Sequence, residues 1–148
     1  MKTLNRITIK APLKAVYAAA QGIVDWPKFL PHYRWVTLFE DKKGVRQVEM
    51  AATRDGFPCK WQSVQVLHPR QNKVYYRHTR SFWSQGMEVW WILIPLKDGS
   101  TEVTITHDMA SSPGFPGSWF LQHVVGDFFV HNIAAKTLAG LKLHLEGE

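Results

Sequence analysis

Residues 118–145 of this 148-residue chain have the sequence SWFLQHVVGDFFVHNIAAKTLAGLKLHL. Apolar side chains recur in this stretch at the spacing of one helix face, with polar residues between them. The stripe comprises Leu121, Val124, Phe128, His131, Ala135, Leu138 and Leu145. We predict a C-terminal helix of about 28 residues, roughly 40 Å long. Gly126 and Gly140 lower its helix propensity and allow a bend.

The chain ahead of this helix, from residue 33 to residue 109, has the pattern of β-strands. Turn signals rich in Gly, Pro, Asn and Asp separate six segments with strand-like alternation. These segments are 33–39, 45–53, 57–67, 73–80, 86–94 and 101–109. The short connections between them favour an antiparallel meander.

The first 33 residues add one more strand and one or two short helices. Residues 4–9 alternate in the manner of a strand, and Pro12 suits the first position of a helix. Pro27 and Pro31 limit the next segment to a short helical turn. The order of elements predicts an α+β fold, in which a curved antiparallel sheet of about seven strands surrounds the long C-terminal helix. A strongly curved sheet cannot lie flush along a straight helix, so we expect a cavity between them.

The composition indicates a globular chain, with 45% apolar and 20% charged residues, and we expect one domain over residues 1–148. Cys59 is the only cysteine, which excludes an internal disulfide, and its apolar setting favours a core position over a nucleophile. Residues 1–12 lack the apolar core of a secretory leader, and no run of about 18 apolar residues occurs. We therefore expect a cytoplasmic protein.

Alternation along the strands predicts which side chains face the cavity. In the segment 57–67 it places Cys59, Trp61, Ser63 and Gln65 inside. Aromatic and apolar side chains with a few polar groups suit a small-molecule pocket. For each histidine, a hydrogen-bonded core position is the alternative interpretation. The predicted ligand-binding residues are Trp26, Phe29, Tyr33, Trp61, Ser63, Gln65, Tyr76, His78, Met87, Trp91, His107, Met109, Val124, Phe128 and His131.

The sequence contains no H-E-x-x-H pattern, no G-x-S-x-G nucleophile motif and no glycine-rich phosphate loop. We therefore expect no metal and no cofactor. Basic and aromatic residues interleave at 70–83, as they do on some nucleic-acid-binding surfaces. Neighbouring residues of a strand alternate faces, so this set cannot form one patch, and no nucleic-acid partner is expected.

Several segments resemble, in order and spacing, the polyketide cyclase/dehydrase and lipid-transport family (START-like, SRPBCC superfamily). They are Ala11-Pro12 with Val16-Tyr17, residues 25–31 (DWPKFLP), Trp61-Gln62-Ser63, Trp91 ahead of Pro95, residues 101–104 (TEVT) and residues 137–142 (TLAGLK). The resemblance covers nearly the whole chain and implies the helix-grip fold. Two branches are similar: bacterial aromatase/cyclases that act on carrier-bound poly-β-ketones, and coenzyme Q-binding proteins, which are carriers.

The resemblance to the aromatase/cyclases implies a pocket wall and a catalytic group. It places on the wall Trp26, Tyr33, Trp61, Ser63, Met87 and Trp91. It also implies a pocket arginine on the strand of Trp61 and Ser63, where this chain has Gln65. A glutamine donates a neutral hydrogen bond and supplies no charge. The candidate catalytic residues are Tyr33 and His78 or His131 for proton transfer and Gln65 for holding a carbonyl.

Two functions remain open at this point. One is a carrier or sensor that binds a polyketide-, quinone- or lipid-like molecule. The other is a polyketide cyclase/dehydrase that performs aldol cyclisation and dehydration. The net charge of +6 fits docking of an acidic acyl carrier protein or an anionic membrane surface, or is simply solvated charge.

Overall fold

The computed structural model describes residues 2–81, 84–109 and 121–147, with side chains described for all of these except 121–124 and 128. The helical elements are α1 (Leu13–Gln21), a 3₁₀ turn (Ile23–Asp25), α2 (Trp26–Phe29), a second 3₁₀ turn (Pro69–Gln71), a π-helix (Leu121–His131) and α3 (Asn132–Glu146). The strands are β1 (Lys2–Ile9), β2 (Tyr33–Lys42), β3 (Val45–Arg54), β4 (Phe57–His68), β5 (Lys73–Ser81), β6 (Glu88–Pro95) and β7 (Thr101–Asp108).

The seven strands form one curved antiparallel sheet in the order β1-β7-β6-β5-β4-β3-β2. Two of its hairpins close through turns in which both central residues have positive φ, Lys43-Gly44 and Asp55-Gly56. This backbone matches the twist of paired strands, and glycine adopts it without steric cost. The predicted α+β class, the sheet of about seven strands and the short helices after the first strand are confirmed.

The C-terminal helix begins as a π-helix and continues as α3, which packs against β1, β3 and α1. Its buried side chains are Ile133, Ala134, Thr137, Leu138 and Leu141. The stripe predicted from the sequence is wrong at His131 and Ala135, which are exposed. A π-helix has more residues per turn than an α-helix, so a stripe drawn at one constant period loses its face where the helix type changes. Leu121, Val124 and Phe128 lie outside the described side chains.

The helices after β1 close one end of the core. Trp26 is 2% exposed, and its indole N–H donates to the carbonyl of Ala19 at 2.9 Å. Leu30 is fully buried and lies so close to Gly140 of α3 that a Cβ at that glycine would overlap its Cδ2 atom. A glycine inside α3 therefore permits the helix to approach the core. Within the described residues, no helix has the length and apolarity required to span a membrane.

Candidate functional site

A cavity of about 770 Å³ lies between the inward face of the sheet and the C-terminal helix. This volume is within the range of small-molecule sites. The helix contributes to its lining Val125, Phe129, Val130, Ile133, Ala134 and Thr137. Eight of the residues predicted from the sequence line it, namely Trp26, Tyr33, Trp61, Tyr76, His78, Met87, Trp91 and His107.

The aromatic side chains of the cavity form a connected wall. The ring of Trp26 lies 5.1 Å from that of Tyr33 and 5.6 Å from that of Trp91, and Tyr33 meets Trp61 at 6.4 Å in an edge-on arrangement. Such contacts stabilise tilted rings. This part of the wall is therefore aromatic and well packed. The cavity lining also includes charged side chains, namely Glu49, Lys60 and Arg80, and polar ones such as Gln62 and Gln85.

Tyr33 brings a hydroxyl to this wall and is hydrogen-bonded to Thr137, which also contacts His32. The Thr137 hydroxyl lies 3.2 Å from the Tyr33 oxygen and 3.0 Å from Nε2 of His32. Burial and the nearby Lys136 lower the pKa of His32 to about 4. His32 and Thr137 were not predicted as site residues, because Thr137 stood out only as the first residue of the segment 137–142 and the contact between the two spans 105 positions.

Two further histidines lie at the cavity, and burial depresses the pKa of both. The pKa of His78 falls to about 3 through burial and the nearby His107. The pKa of His107 also falls to about 3, through burial and the nearby His131. The Nδ1 atom of His107 lies 3.4 Å from the Thr3 hydroxyl. Near neutral pH both imidazoles are uncharged. Each ring therefore has one nitrogen that donates and one that accepts a hydrogen bond, and neither ring attracts an anion as a charged imidazolium would.

Cys59 also lines the cavity, although it is only partly buried. Burial raises the pKa of its thiol to about 11. A thiol that stays protonated is a poor nucleophile. The side chain therefore contributes apolar surface, as the sequence predicts.

Comparison with known proteins identifies the family of this chain. A family model described as polyketide cyclase / dehydrase and lipid transport matches residues 9–134. The chain belongs to this family. A cyclase/dehydrase relative, the granaticin polyketide synthase bifunctional cyclase/dehydratase of Streptomyces violaceoruber, is 29% identical over 105 residues. That match covers 70% of this chain but 32% of the relative, so the chain spans about a third of the relative's length.

Two solved structures illustrate the shared fold. The Zhui aromatase/cyclase of Streptomyces sp. R1128 has a TM-score of 0.76 at 19% identity, and the match covers 97% of this chain and 95% of that chain. A START superfamily protein of Mycobacterium smegmatis has a TM-score of 0.71 at 16% identity, covering 99% and 94%. These likenesses establish the helix-grip architecture of the polyketide cyclase/dehydrase and lipid-transport family.

Gln65, which occupies the position of the cyclases' expected arginine, is 0% exposed and does not line the cavity. Its Nε2 donates to the hydroxyl of Tyr76 at 2.9 Å and to the carbonyl of Gln21 at 3.2 Å. Its Oε1 accepts from Nη1 of Arg46 at 3.3 Å. Gln65 is buried, and these three partners enclose its amide, so the side chain lies behind the cavity lining; its contact with a ligand stays a prediction.

Ser63 and Met109 also lie outside the cavity lining. Ser63 is 2% exposed, and its hydroxyl has no hydrogen-bond partner in the described part of the chain. Met109 is partly buried against the core.

Phe29 and His131, predicted from the sequence as ligand-binding residues, do not line the cavity. Phe29 stacks on His144, with ring centroids 3.9 Å apart. His131 is exposed, because the π-helix rotates it off the buried face. The predicted ligand contacts of Val124 and Phe128 lie outside the described side chains.

Proposed function

We propose that this chain binds a hydrophobic small molecule, polyketide-, quinone- or lipid-like, within the cavity as a carrier or sensor. The observation that supports this proposal is an aromatic cavity of about 770 Å³ between the sheet and the C-terminal helix. Apolar area removed from water contributes roughly 25 cal/mol per Å², so such a wall favours an apolar guest. The family includes both cyclase/dehydrases and lipid-transport proteins.

Four titratable groups of the cavity, two histidines and two tyrosines, are uncharged near neutral pH. His78 and His107 each have a pKa near 3 and stay neutral near pH 7. Tyr33 and Tyr76 are buried, and burial raises the pKa of both phenols, so these too stay neutral. The part of a ligand that lies against these four residues is therefore uncharged, whereas Glu49, Lys60 and Arg80 offer charged partners to a polar part of the same ligand.

The experiment is a titration with a hydrophobic fluorophore, 1-anilinonaphthalene-8-sulfonate, against a variant that fills the cavity. Ala134 lines the cavity and Ala135, its neighbour on α3, is exposed. Ala134→Phe should weaken binding about tenfold or more, whereas the matched control Ala135→Phe should bind as the wild type does. Equal affinity in both variants contradicts binding in the cavity. Native mass spectrometry of the purified protein then gives the mass of any retained ligand.

A second candidate function is aromatase/cyclase activity on a carrier-bound poly-β-ketone. The observation that favours it is that the Tyr33 hydroxyl and the neutral His78 imidazole both line the cavity. In an aldol closure a base removes a proton from the carbon beside a carbonyl, and a hydrogen-bond donor stabilises the enolate oxygen. We assign the second role to Tyr33, and Gln65 acts on the cavity only through Tyr76. His78, with a pKa of about 3, is too weak a base for the first role and contributes a neutral hydrogen-bonding group to the wall.

The variant Tyr33→Phe separates the two functions because it removes only the hydroxyl. A cyclase loses turnover of a poly-β-ketone thioester while it still binds the product. A carrier shows no turnover before or after the change, and only its affinity shifts. The test requires product analysis and a binding titration on the same preparation.

We also propose that residues 1–148 form a single ligand-binding domain and that the protein is cytoplasmic. We propose further that its surface docks an acidic acyl carrier protein or an anionic membrane. The net charge of +6 supports the docking proposal. Co-sedimentation with anionic vesicles and a pull-down with an acyl carrier protein distinguish the two partners.

A further inference from the structure

The side-chain amide of Gln65 has one orientation that its hydrogen bonds allow. Nη1 of Arg46 lies 3.3 Å from one amide atom, and the carbonyl oxygen of Gln21 lies 3.2 Å from the other. A guanidinium only donates and a carbonyl only accepts, so the first atom is Oε1 and the second is Nε2. A flipped amide would place two donors together at Arg46 and two acceptors together at Gln21.

The hydroxyl of Tyr76 is the acceptor in its bond with this amide. Its oxygen lies 2.9 Å from Nε2 of Gln65, and an amide NH₂ group donates hydrogen bonds but does not accept them. The proton of the phenol is therefore directed away from Gln65. Burial raises the pKa of Tyr76, so the proton stays on the oxygen near neutral pH.

The phenol proton of Tyr76 has no acceptor within the described part of the chain. Tyr76 lines the cavity, whereas Gln65, which faces it across β4 and β5, lies behind the lining. A proton directed away from Gln65 is thus available to a group in the cavity. A buried donor is stabilised when an acceptor supplies the missing bond.

Arg46 holds this arrangement from the side remote from the cavity. Its Nη1 also donates to the backbone and side-chain oxygens of Gln21, each at 3.0 Å, and its Nε is paired with Asp41 at 3.1 Å. The guanidinium is therefore fixed at several points. Its charge polarises the amide of Gln65, and hydrogen bonds in such a chain strengthen one another.

We infer that Arg46 and Gln65 hold the hydroxyl of Tyr76 as a hydrogen-bond donor towards the cavity, where it selects ligands that carry a carbonyl oxygen, such as ketones and quinones. The selectivity rests on the proposed ligand binding, whereas the direction of the bond between Gln65 and Tyr76 does not. Arg46 and Gln65 are positioning residues in this scheme, because they act on the ligand only through Tyr76. A carbonyl compound is thereby favoured over a hydrocarbon of the same shape.

The first experiment needs no ligand and follows the side-chain amide protons of Gln65 by NMR. Tyr76→Phe should move one of the two protons upfield, because that proton loses its acceptor, and should leave the proton bonded to Gln21 nearly in place. Tyr75→Phe is the matched control, since the Tyr75 hydroxyl bonds Glu88 at 2.9 Å on the exposed side of β5. Amide protons that stay in place in Tyr76→Phe overturn the inference.

The second experiment compares two probes of nearly the same shape, 2-acetylnaphthalene and 2-isopropenylnaphthalene, by displacement of 1-anilinonaphthalene-8-sulfonate. The measured quantity is the ratio of their affinities, compared between variants so that the different costs of removing the probes from water cancel. Tyr76→Phe should lower the preference for the ketone about fivefold, the worth of one hydrogen bond. Tyr75→Phe should keep the wild-type ratio. An unchanged ratio in Tyr76→Phe overturns the selectivity.

The variant Gln65→Glu tests the positioning role, because it keeps the size of the side chain and replaces the donor by an acceptor. The new carboxylate, paired with Arg46, should accept the phenol proton of Tyr76. The preference for the ketone should then fall as it does in Tyr76→Phe, although the phenol is intact, and a wild-type ratio overturns the positioning role. If Gln65→Glu does not fold, Tyr76→Phe still decides the selectivity. If neither probe displaces the fluorophore, the proposed function fails with the selectivity, and the amide protons still decide the direction of the bond.

Discussion

The hydroxyl of Thr137 on α3 lies 3.2 Å from the phenol oxygen of Tyr33 at the start of β2, and this bond joins residues 104 positions apart. The same hydroxyl donates to the carbonyl of Ile133 at 2.8 Å and contacts Nε2 of His32 at 3.0 Å. One small side chain thus connects the helix to the strand at the cavity wall. The position of the Tyr33 hydroxyl in the cavity depends on this connection.

We predict that Thr137→Val lowers the free energy of unfolding by about 1–3 kcal/mol. Valine has nearly the same shape as threonine, so the change removes the hydroxyl and leaves the polar atoms of Tyr33 and His32 without this partner. Thr137→Ser keeps the hydroxyl and should remain within about 1 kcal/mol of the wild type. Urea denaturation measures both. A valine variant as stable as the serine variant would show that the bond contributes nothing to folding.

We predict that Gly140→Ala destabilises the protein, although alanine is the better helix former by about 1 kcal/mol. The added methyl group would overlap Cδ2 of Leu30. Leu30 is fully buried, so its side chain would have to shift within the packed core. Overpacking of this kind costs about 1–3 kcal/mol. The change from glycine to alanine, which usually stabilises a helix, should therefore destabilise this one. The matched control is Ala139→Gly at an exposed neighbouring position. Its effect on the free energy of unfolding should follow helix propensity alone. Thermal melts compare the two.

A rescue test accompanies this prediction. In the double variant Gly140→Ala with Leu30→Ala, the space left by the shortened side chain receives the new methyl group. The two changes together should therefore cost less than the sum of their separate effects. Additive losses would instead indicate that Gly140 matters for its backbone and not for the approach to Leu30.

Strand alternation and turn chemistry were enough to predict the sheet, because each turn and each strand is a local feature. The aromatic wall followed from the same alternation, as Trp61 and Trp91 show. The predicted buried face of the C-terminal helix was wrong at His131, because no local sequence signal distinguishes a π-helix from an α-helix. The hydrogen-bond partners of Gln65 could not be predicted, because Arg46 comes from another strand and only the register of β3 with β4 brings them together.

We predict that His78 makes stability depend on pH below about 7. Its pKa is about 3 in the folded protein against an ordinary value of 6.5, so between these values the unfolded chain binds more protons. Stability is then fully present above pH 6.5 and decreases as the pH falls towards 3. For this 7% exposed residue the loss between pH 7.5 and pH 5 is about 2 kcal/mol.

Urea denaturation at these two pH values, on the wild type and on His78→Gln, measures this contribution. The variant should lose about 2 kcal/mol less than the wild type on acidification, whatever its stability at pH 7.5. His144→Gln removes an exposed histidine of α3 and controls for the loss of a surface group. An identical pH response in the wild type and in His78→Gln would contradict a buried neutral imidazole.

The last prediction concerns the arginine that the family's cyclases suggest at position 65. Arg46 already brings a guanidinium to this place, with Nη1 at 3.3 Å from Oε1 of Gln65 and Nε paired with Asp41 at 3.1 Å. Gln65→Arg would put a second cation beside it, where Asp41 is the only acidic partner of Arg46 among the described residues. We predict a loss of about 2–4 kcal/mol for this single change, because an unpaired buried charge is strongly destabilising.

Exchanging the two residues distinguishes charge from size. Arg46→Gln with Gln65→Arg keeps one guanidinium and one amide in the site, so the double variant should recover to within about 1 kcal/mol of Arg46→Gln alone. A double-mutant cycle by urea denaturation gives the coupling. A cycle with no coupling would mean that the longer side chain, and not the second charge, is what the site rejects. A strong coupling would mean that this chain obtains from β3 the charge that its cyclase relatives are expected to carry on β4.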